Sequence, residues 1–183
     1  ILIFLSGLLL FATNILTFYL ALCALALAIL YPFTKRFFNY PQIILGMAFS
    51  CSIPMAFAAQ TDKLSLIIFP IYFAVISWVV SYDTFYAMVD KDDDKKIGIK
   101  STALIFGNYN QLITCILQAI FIILMIITGL IEQFKNFYFY SISIVIALFV
   151  YQQSLIKKGG KNNFFKAFKN NNYVGLVLFI GIF

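Results

Sequence analysis

The chain has 183 residues, of which 63% are hydrophobic and 11% are charged, and its formal net charge is +6. This composition, with apolar runs of about twenty residues, excludes an ordinary water-soluble core and predicts an integral membrane protein. The positive charge does not indicate nucleic-acid binding, because no basic recognition helix, zinc-binding pattern or aromatic RNA-binding surface accompanies it.

Seven apolar segments are predicted to be membrane helices, and the first three precede residue 60. Residues 1–12 are too few to cross a bilayer of about 30 Å, so we expect them to be the end of a longer span. The second segment, 15–30, is expected to end before Pro32, because proline disfavours a continuing helix. The third, 41–59, opens on a proline and is expected to kink at Pro54.

The fourth segment, residues 64–89, runs without a helix-breaking residue into an acidic stretch and is expected to end near Gly98. The remaining predicted spans are residues 110–131, 137–156 and 173–183, and we expect the last of them to be part of a longer span. Gly159 and Gly160 are expected to break the chain after the sixth span, and the FFKAFK segment that follows is expected to lie along the membrane interface.

Residues 81–102 hold five of the seven acidic side chains of the chain. In a helix, spacings of seven and eleven residues place Asp83, Asp90 and Asp94 on one stripe, with Tyr86 beside it and Asp92 on the opposite side. Carboxylates on one face are costly unless a cation lies between them. The alternative is that the KDDDKK segment is simply a solvated charged loop.

Histidine is absent from the chain, which excludes His-ligated zinc or haem sites. Oxygen ligands without histidine favour magnesium, calcium or manganese, and magnesium commonly joins one or two carboxylates to substrate phosphates. Asp90 and Asp94 are therefore candidate Mg²⁺ ligands. The single cysteines Cys23, Cys51 and Cys115 show no CxxC spacing and are expected to be small buried thiols.

Lysine and arginine are distributed unevenly between the two sides of the predicted bundle. With alternating loops, eleven lie on one side, including Lys35 and Arg36, and only Lys63 and Lys135 lie on the other. The positive-inside rule then places the acidic stretch on the cytoplasmic side. The basic pair at 35–36 is expected to lie on the same face of the membrane as the carboxylates.

An acidic stripe, a basic pair and an apolar bundle suit a substrate with a charged head and an apolar tail, such as a polyprenyl diphosphate. Lys35 and Arg36 are candidate ligands of diphosphate oxygens. Stabilising that leaving group favours cleavage of the allylic C–O bond. Tyr82, Phe85 and Tyr86 are candidates to stabilise the allylic cation through their ring faces, although ordinary helix packing explains these aromatic side chains equally well.

Five stretches carry a resemblance to a known family: YPFTKR (31–36), PQIILGMAFSCSIPMAFAA (41–59), YDTFYAMVDKDDDKKIGIKSTALIFG (82–107), ALFVYQQ (147–153) and FKAFKNNNYVGLVLF (165–179). In these stretches the sequence resembles the UbiA superfamily of intramembrane prenyltransferases. The resemblance implies an all-α polytopic bundle of nine spans, about seven of them present in one membrane domain, 1–183. It also implies Mg²⁺-dependent transfer of a polyprenyl group from its diphosphate to the ring carbon ortho to the hydroxyl of 4-hydroxybenzoate, in ubiquinone biosynthesis.

The resemblance assigns roles to several residues. The family's second aspartate-rich motif, DxxxD, falls on Asp90 and Asp94, with Asp83 facing the same cavity, and Arg36 is expected to contact diphosphate or the acceptor carboxylate. The first motif, NDxxDxxxD, is not found, because the only aspartate before Asp83 is Asp62, on the other predicted side. We expect that motif upstream of the first residue, and we expect residues 1–183 alone to be inactive.

Two alternatives stay open at this point. One is a related prenyltransferase that uses another acceptor, such as a naphthoate, homogentisate or haem. The other is a divalent-cation transporter, although transporters commonly place ionisable groups near the bilayer midplane, whereas Asp90 and Asp94 are expected at the membrane edge. The expected location is the bacterial inner membrane.

Overall fold

The computed structural model describes residues 2–182, and within this range it contains nine α-helices and no strand. The helices are α1 (Leu2–Leu10), α2 (Ile15–Phe37), α3 (Pro41–Ser50), α4 (Ser52–Thr61), α5 (Ile68–Ile97), α6 (Thr102–Phe106), α7 (Asn110–Ile131), α8 (Asn136–Lys158) and α9 (Lys161–Ile182). The predicted all-α fold is confirmed. The outermost residues of the first and last predicted spans, Ile1 and Phe183, lie outside the described range.

Five stretches in the described residues are long and apolar enough to cross a membrane: Ile15–Phe37, Pro41–Thr61, Ile68–Ile97, Thr102–Ile131 and Asn136–Lys158. The first predicted segment, now α1, is too short to do so, as expected. Helix α9 has 22 residues, but its first half is rich in lysine and asparagine. The protein is an integral membrane protein.

The prediction that the second helix ends before Pro32 is wrong. Helix α2 continues through Pro32 to Phe37. Pro32 lacks a backbone N–H donor, and hydrogen bonds in the helical turn after it offset this loss. Thr34 Oγ1 donates to the Tyr31 carbonyl at 2.6 Å, and the Phe38 amide donates to the Thr34 carbonyl at 2.8 Å. Tyr31 and Lys35, four residues apart in this continuous helix, therefore lie on the same helical face.

The third predicted span is interrupted between α3 and α4 at Cys51, three residues before the proline at which a kink is expected. Helix α3 ends at Ser50, and α4 begins one residue after Cys51. Pro54 has no amide hydrogen, so the Ser50 carbonyl four residues earlier receives no helical hydrogen bond from it. Within α3, Gly46 lies against the backbone of Ile76, where an added Cβ would stand 3.3 Å from the Ile76 carbonyl oxygen. The close approach packs α3 onto α5.

Helix α5 is the longest and joins the apolar bundle to the acidic stretch. It ends where Gly98 adopts a left-handed conformation with φ of 71°, as the sequence indicated. A short loop leads to α6 and then to α7, whose predicted bounds are confirmed. Because α5 stays helical through Asp94, the side chains of Asp83, Asp90 and Asp94 lie on one face of the helix, as predicted.

The predicted separation of residues 161–172 from the last span is wrong. The chain does break at Gly159 and Gly160, both with positive φ, but α9 then runs unbroken from Lys161 to Ile182. The FFKAFK segment is part of this helix, and its Ala167 is fully buried against Phe85 and Leu155. Packing on this face makes the segment the first half of α9.

Buried amide side chains connect α7, α8 and α9 inside the bundle. Gln118 Nε2 donates to Gln152 Oε1 at 2.7 Å, and Gln152 Nε2 donates to Asn170 Oδ1 at 3.0 Å. Trp78 Nε1 extends this network to α5 by donating to Asn171 Oδ1 at 2.8 Å. Within the bundle such polar groups must satisfy one another.

Cysteine burial differs from the expectation. Only Cys51 is buried, whereas Cys23 and Cys115 are exposed on the outer surface of the bundle. All three are free thiols, as predicted. Outward-facing thiols are compatible with an apolar surface that contacts lipid, because a free cysteine behaves as a small hydrophobic side chain.

Candidate functional site

A polar cavity of about 120 Å³ lies where the last turns of α2 and α5 meet the loop after α5. We call it the acidic cavity. Its lining includes Tyr31, Lys35, Gln42, Asp83, Tyr86, Asp90, Asp94, Lys100 and Ser101. The structure therefore brings together all three carboxylates of the predicted stripe.

The other two aspartates of α5 point elsewhere. Asp92 is exposed, as its position on the helix predicted. Asp93 is also exposed and forms ion pairs with Lys96 at 3.4 Å and Lys161 at 3.5 Å. The solvated-loop alternative therefore describes Asp92 and Asp93, whereas the remaining three carboxylates turn inward.

Lys35 provides positive charge on the α2 side of the acidic cavity. Its ammonium group lies 5.2 Å from the ring centroid of Tyr31 and interacts electrostatically with the carboxylates of Asp83 and Asp94. Among the described residues, none of the three cavity carboxylates forms an ion pair within 4.0 Å. Their negative charge is thus only partly compensated by the protein.

The loop after α5 forms one wall of the cavity, and several hydrogen bonds hold it against α2 and α3. The Lys100 amide donates to the Lys35 carbonyl at 3.0 Å, and Lys100 Nζ donates to the Phe37 carbonyl at 3.2 Å. The Thr102 amide donates to Gln42 Oε1 at 3.0 Å. These bonds join α2, α3 and the end of α5 around one space.

The predicted aromatic and basic ligands divide into two groups. Tyr86 lines the acidic cavity, whereas Tyr82 packs between Trp78 and Phe168, with ring centroids 5.7 and 6.0 Å away. Phe85 is fully buried in the helix core. Arg36 is exposed and is not among the cavity-lining residues.

The carboxylate oxygens of the acidic cavity suit a hard cation that also binds oxygens of a phosphate-bearing ligand. In the described part of the chain, no three acidic or cysteine side chains are grouped to hold a metal ion by themselves. Asp90 and Asp94 nevertheless lie one helical turn apart on the cavity wall, and two carboxylates are what magnesium commonly takes from a protein when phosphates supply further oxygens. These two residues fit Mg²⁺ in that role.

An apolar groove of about 600 Å³ lies between α1, α2, α3 and α4. Its walls include Leu10, Ala24, Leu25 and Leu45, and Tyr31 belongs both to this groove and to the acidic cavity. A polar space and an apolar one therefore share the side chain of Tyr31 in their walls.

Four polar residues of the cavity were not predicted as site residues, namely Tyr31, Gln42, Lys100 and Ser101. Lys100 entered the sequence argument only through its charge. The signal available in the sequence was a polar Lys-Ser-Thr triplet that begins two residues after the helix-ending Gly98. Nothing in the local pattern shows that this triplet reaches the end of α2.

Relatives of known name match the whole chain. A 4-hydroxybenzoate octaprenyltransferase from Edwardsiella ictaluri is 49% identical over 182 residues, and one from Salmonella paratyphi C is 50% identical over the same length. Each match covers all of this chain and 63% of the relative. The chain thus spans less than two thirds of the length of these relatives.

Two solved structures share the fold. A UbiA homologue from Aeropyrum pernix K1 superposes with a TM-score of 0.77 at 23% identity, covering 90% of this chain and 62% of that one. A digeranylgeranylglyceryl phosphate synthase superposes with a TM-score of 0.73 at 19% identity, covering 93% and 61%. The profile of the UbiA prenyltransferase family matches residues 1–176. The chain belongs to the UbiA prenyltransferase family.

Proposed function

We propose that the full-length protein transfers a polyprenyl group from polyprenyl diphosphate to the ring carbon ortho to the hydroxyl of 4-hydroxybenzoate, with release of diphosphate. The names of relatives about half identical to this chain support the choice of acceptor. The observation that carries the proposal is the meeting of the carboxylates of Asp83, Asp90 and Asp94 with Lys35 in one cavity. Residues 1–183 form one membrane domain in this proposal.

In this proposal, Asp90 and Asp94 hold Mg²⁺ against the substrate diphosphate. Bound magnesium would neutralise the diphosphate and improve it as a leaving group. Lys35 donates hydrogen bonds to the diphosphate oxygens, since its side chain lines the same cavity as the carboxylates. Asp83 adds a third negative charge, which favours positive charge in the cavity.

Aromatic and basic neighbours complete the assignment. Tyr86 presents its ring to the cavity and stabilises the developing allylic cation. Tyr82, on the same helix, acts from beside the cavity through its contact with Phe168, which also packs against Tyr86 at 5.1 Å. Arg36 binds the acceptor or the diphosphate from the exposed edge.

The apolar groove beside the acidic cavity accommodates the start of the isoprenoid chain. Tyr31 lies at the junction, so a substrate with its diphosphate among the aspartates extends its tail past this ring. The small and aliphatic side chains of α2 give the tail an apolar surface to pack against, and the tail enters this surface from lipid that is equally apolar.

The proposed setting is the bacterial inner membrane, with the acidic cavity on the cytoplasmic side. The structure's contacts between Lys100 and the end of α2, and between Lys161 and Asp93, put the three lysine-rich connections at one end of the bundle. The positive-inside rule assigns that end to the cytoplasm.

Membranes containing the full-length protein test this function. They are incubated with Mg²⁺, a polyprenyl diphosphate and radiolabelled 4-hydroxybenzoate, with a naphthoate and homogentisate as competing acceptors. The expected result is a prenylated 4-hydroxybenzoate whose formation stops when the metal is chelated. Preferred labelling of another acceptor, or Mg²⁺ flux in reconstituted vesicles without any transfer, contradicts the proposal.

A further inference from the structure

The Ser101 hydroxyl is a buried polar group of the acidic cavity that has no hydrogen bond of ordinary geometry to any described residue. Ser101 is 2% exposed, and none of the side chains or backbone groups described between residues 2 and 182 meets hydrogen-bond geometry with its Oγ. The Asp94 carboxylate interacts with this hydroxyl, but the two groups do not meet the geometry of a hydrogen bond. Burial of an unpaired hydroxyl is unfavourable, so its persistence at the wall of a binding cavity calls for a ligand.

The ordinary structural role of a serine at this position is absent. Ser101 immediately precedes α6, where a serine side chain commonly accepts a hydrogen bond from an amide of the first helical turn. In the part of the chain that the structure describes, Ser101 forms no such bond. The Thr102 amide is instead paired with Gln42 Oε1, so the adjacent backbone donor is already satisfied without the serine.

The position of Ser101 is fixed from both sides. On one side, the Lys100 amide is bonded to the Lys35 carbonyl at 3.0 Å. On the other, the hydroxyls of Thr102 and Thr84 lie 2.7 Å apart, both fully buried. Because its neighbours hold the backbone against α2 and α5, the hydroxyl is presented to the cavity in advance of ligand binding.

We propose that Ser101 Oγ donates a hydrogen bond to an oxygen of the substrate diphosphate, which makes it a further binding residue of the site. This inference rests on the proposed function, because that function supplies the ligand. The three carboxylates of the cavity can only accept hydrogen bonds. Ser101 adds a fixed neutral donor to those of Lys35 and matches an anion rich in acceptor oxygens.

Three variants of the full-length protein, purified in detergent, test the role of Ser101. Ser101→Ala removes the hydroxyl, and Ser101→Thr retains it. Ser50→Ala is the matched control, since Ser50 Oγ is likewise buried and unpaired but does not line the acidic cavity. Each variant is titrated calorimetrically with inorganic diphosphate in excess Mg²⁺, and the KM values for prenyl diphosphate and acceptor are measured separately.

Ser101→Ala is expected to weaken diphosphate binding and to raise the KM for prenyl diphosphate by about tenfold or more, because a hydrogen bond to a charged group is lost. The KM for the acceptor is expected to stay within about twofold of the parent value in Ser101→Ala. In Ser101→Thr and Ser50→Ala, the diphosphate affinity and both KM values are expected to stay within about twofold of those of the parent protein. If Ser101→Ala does not fold, Ser101→Cys, a weak donor, is measured in its place.

Unchanged diphosphate affinity in Ser101→Ala overturns the proposal. A higher Mg²⁺ requirement with unchanged diphosphate affinity also overturns it, because the hydroxyl would then act only on Asp94. Failure of the proposed function is seen separately. A parent protein that binds diphosphate but forms no prenylated product refutes the prenyl transfer and leaves the binding test of Ser101 decisive.

Discussion

The backbone amide of Lys100 donates a hydrogen bond to the carbonyl of Lys35 across a distance of 3.0 Å. This bond connects the loop after α5 to the last turn of α2. It places a basic helix end against an acidic helix face. The relationship explains how a charged site forms at one end of an otherwise apolar bundle.

Gln42 is expected to be a structural support of this arrangement. It is 2% exposed, and its Oε1 accepts the hydrogen bond of the Thr102 amide. Gln42→Ala leaves that buried amide unpaired, and we expect the free energy of unfolding to fall by about 1–3 kcal/mol. Thermal unfolding in detergent measures the loss. Gln111→Ala, at an exposed position on α7, is the control, and equal stability of the two variants contradicts this role.

The buried amide network between α7 and α8 provides a second stability prediction. Gln152→Leu leaves Gln118 Nε2 without its acceptor inside the bundle, and we expect a loss of about 1–3 kcal/mol. The double change Gln118→Leu with Gln152→Leu is expected to cost less than the sum of the single changes, because both partners are removed together.

Equilibrium unfolding of the two single variants and the double variant measures this coupling. Ser143→Ala is the control on the same helix, because Ser143 is exposed and bonds only to its own helix, through the Phe139 carbonyl. Strictly additive losses would show that the two glutamines do not stabilise each other.

Lys35 and Arg36 are adjacent in the sequence but are expected to differ in function. Lys35→Met removes a charge that lines the acidic cavity, and we expect the KM for prenyl diphosphate to rise by about tenfold or more. Arg36→Ala is expected to raise the KM for one of the two substrates. Its effect on the KM for prenyl diphosphate is expected to be smaller than that of Lys35→Met, because the Arg36 side chain is exposed. Steady-state kinetics with each substrate varied in turn separates the two. A larger diphosphate effect in Arg36→Ala reverses the assignment.

Much of the fold follows from local sequence. The bounds of α7 and the end of α5 at Gly98 were predictable, because apolar length and a glycine in the left-handed region act locally. The ends of α2 and α9 were not. Pro32 and the lysine-rich start of α9 have poor local helix signals. A contact with Lys100 stabilises the end of α2, and contacts with Phe85 and Trp78 stabilise the first half of α9.

The same distinction applies to the site. Periodicity placed Asp83, Asp90 and Asp94 together and excluded Asp92, because all four belong to one helix. Gln42 and Ser101 were missed, because their place in the cavity depends on contacts between distant parts of the chain. Gln42 and Thr102, for example, are 60 residues apart.

The rate of prenyl transfer to 4-hydroxybenzoate in variants of the acidic helix tests the central claim most directly. Membranes with the full-length protein are compared as Asp90→Asn, Asp94→Asn and Asp92→Asn, at equal protein levels and saturating Mg²⁺. We expect Asp90→Asn and Asp94→Asn to lose at least about 100-fold in rate, because stabilisation of the leaving diphosphate by several kcal/mol is lost. Asp92→Asn is expected to stay near the parent rate, since its side chain is exposed outside the cavity. Equal loss in all three variants, or full activity in Asp90→Asn and Asp94→Asn, contradicts the assignment of the acidic cavity as the diphosphate site.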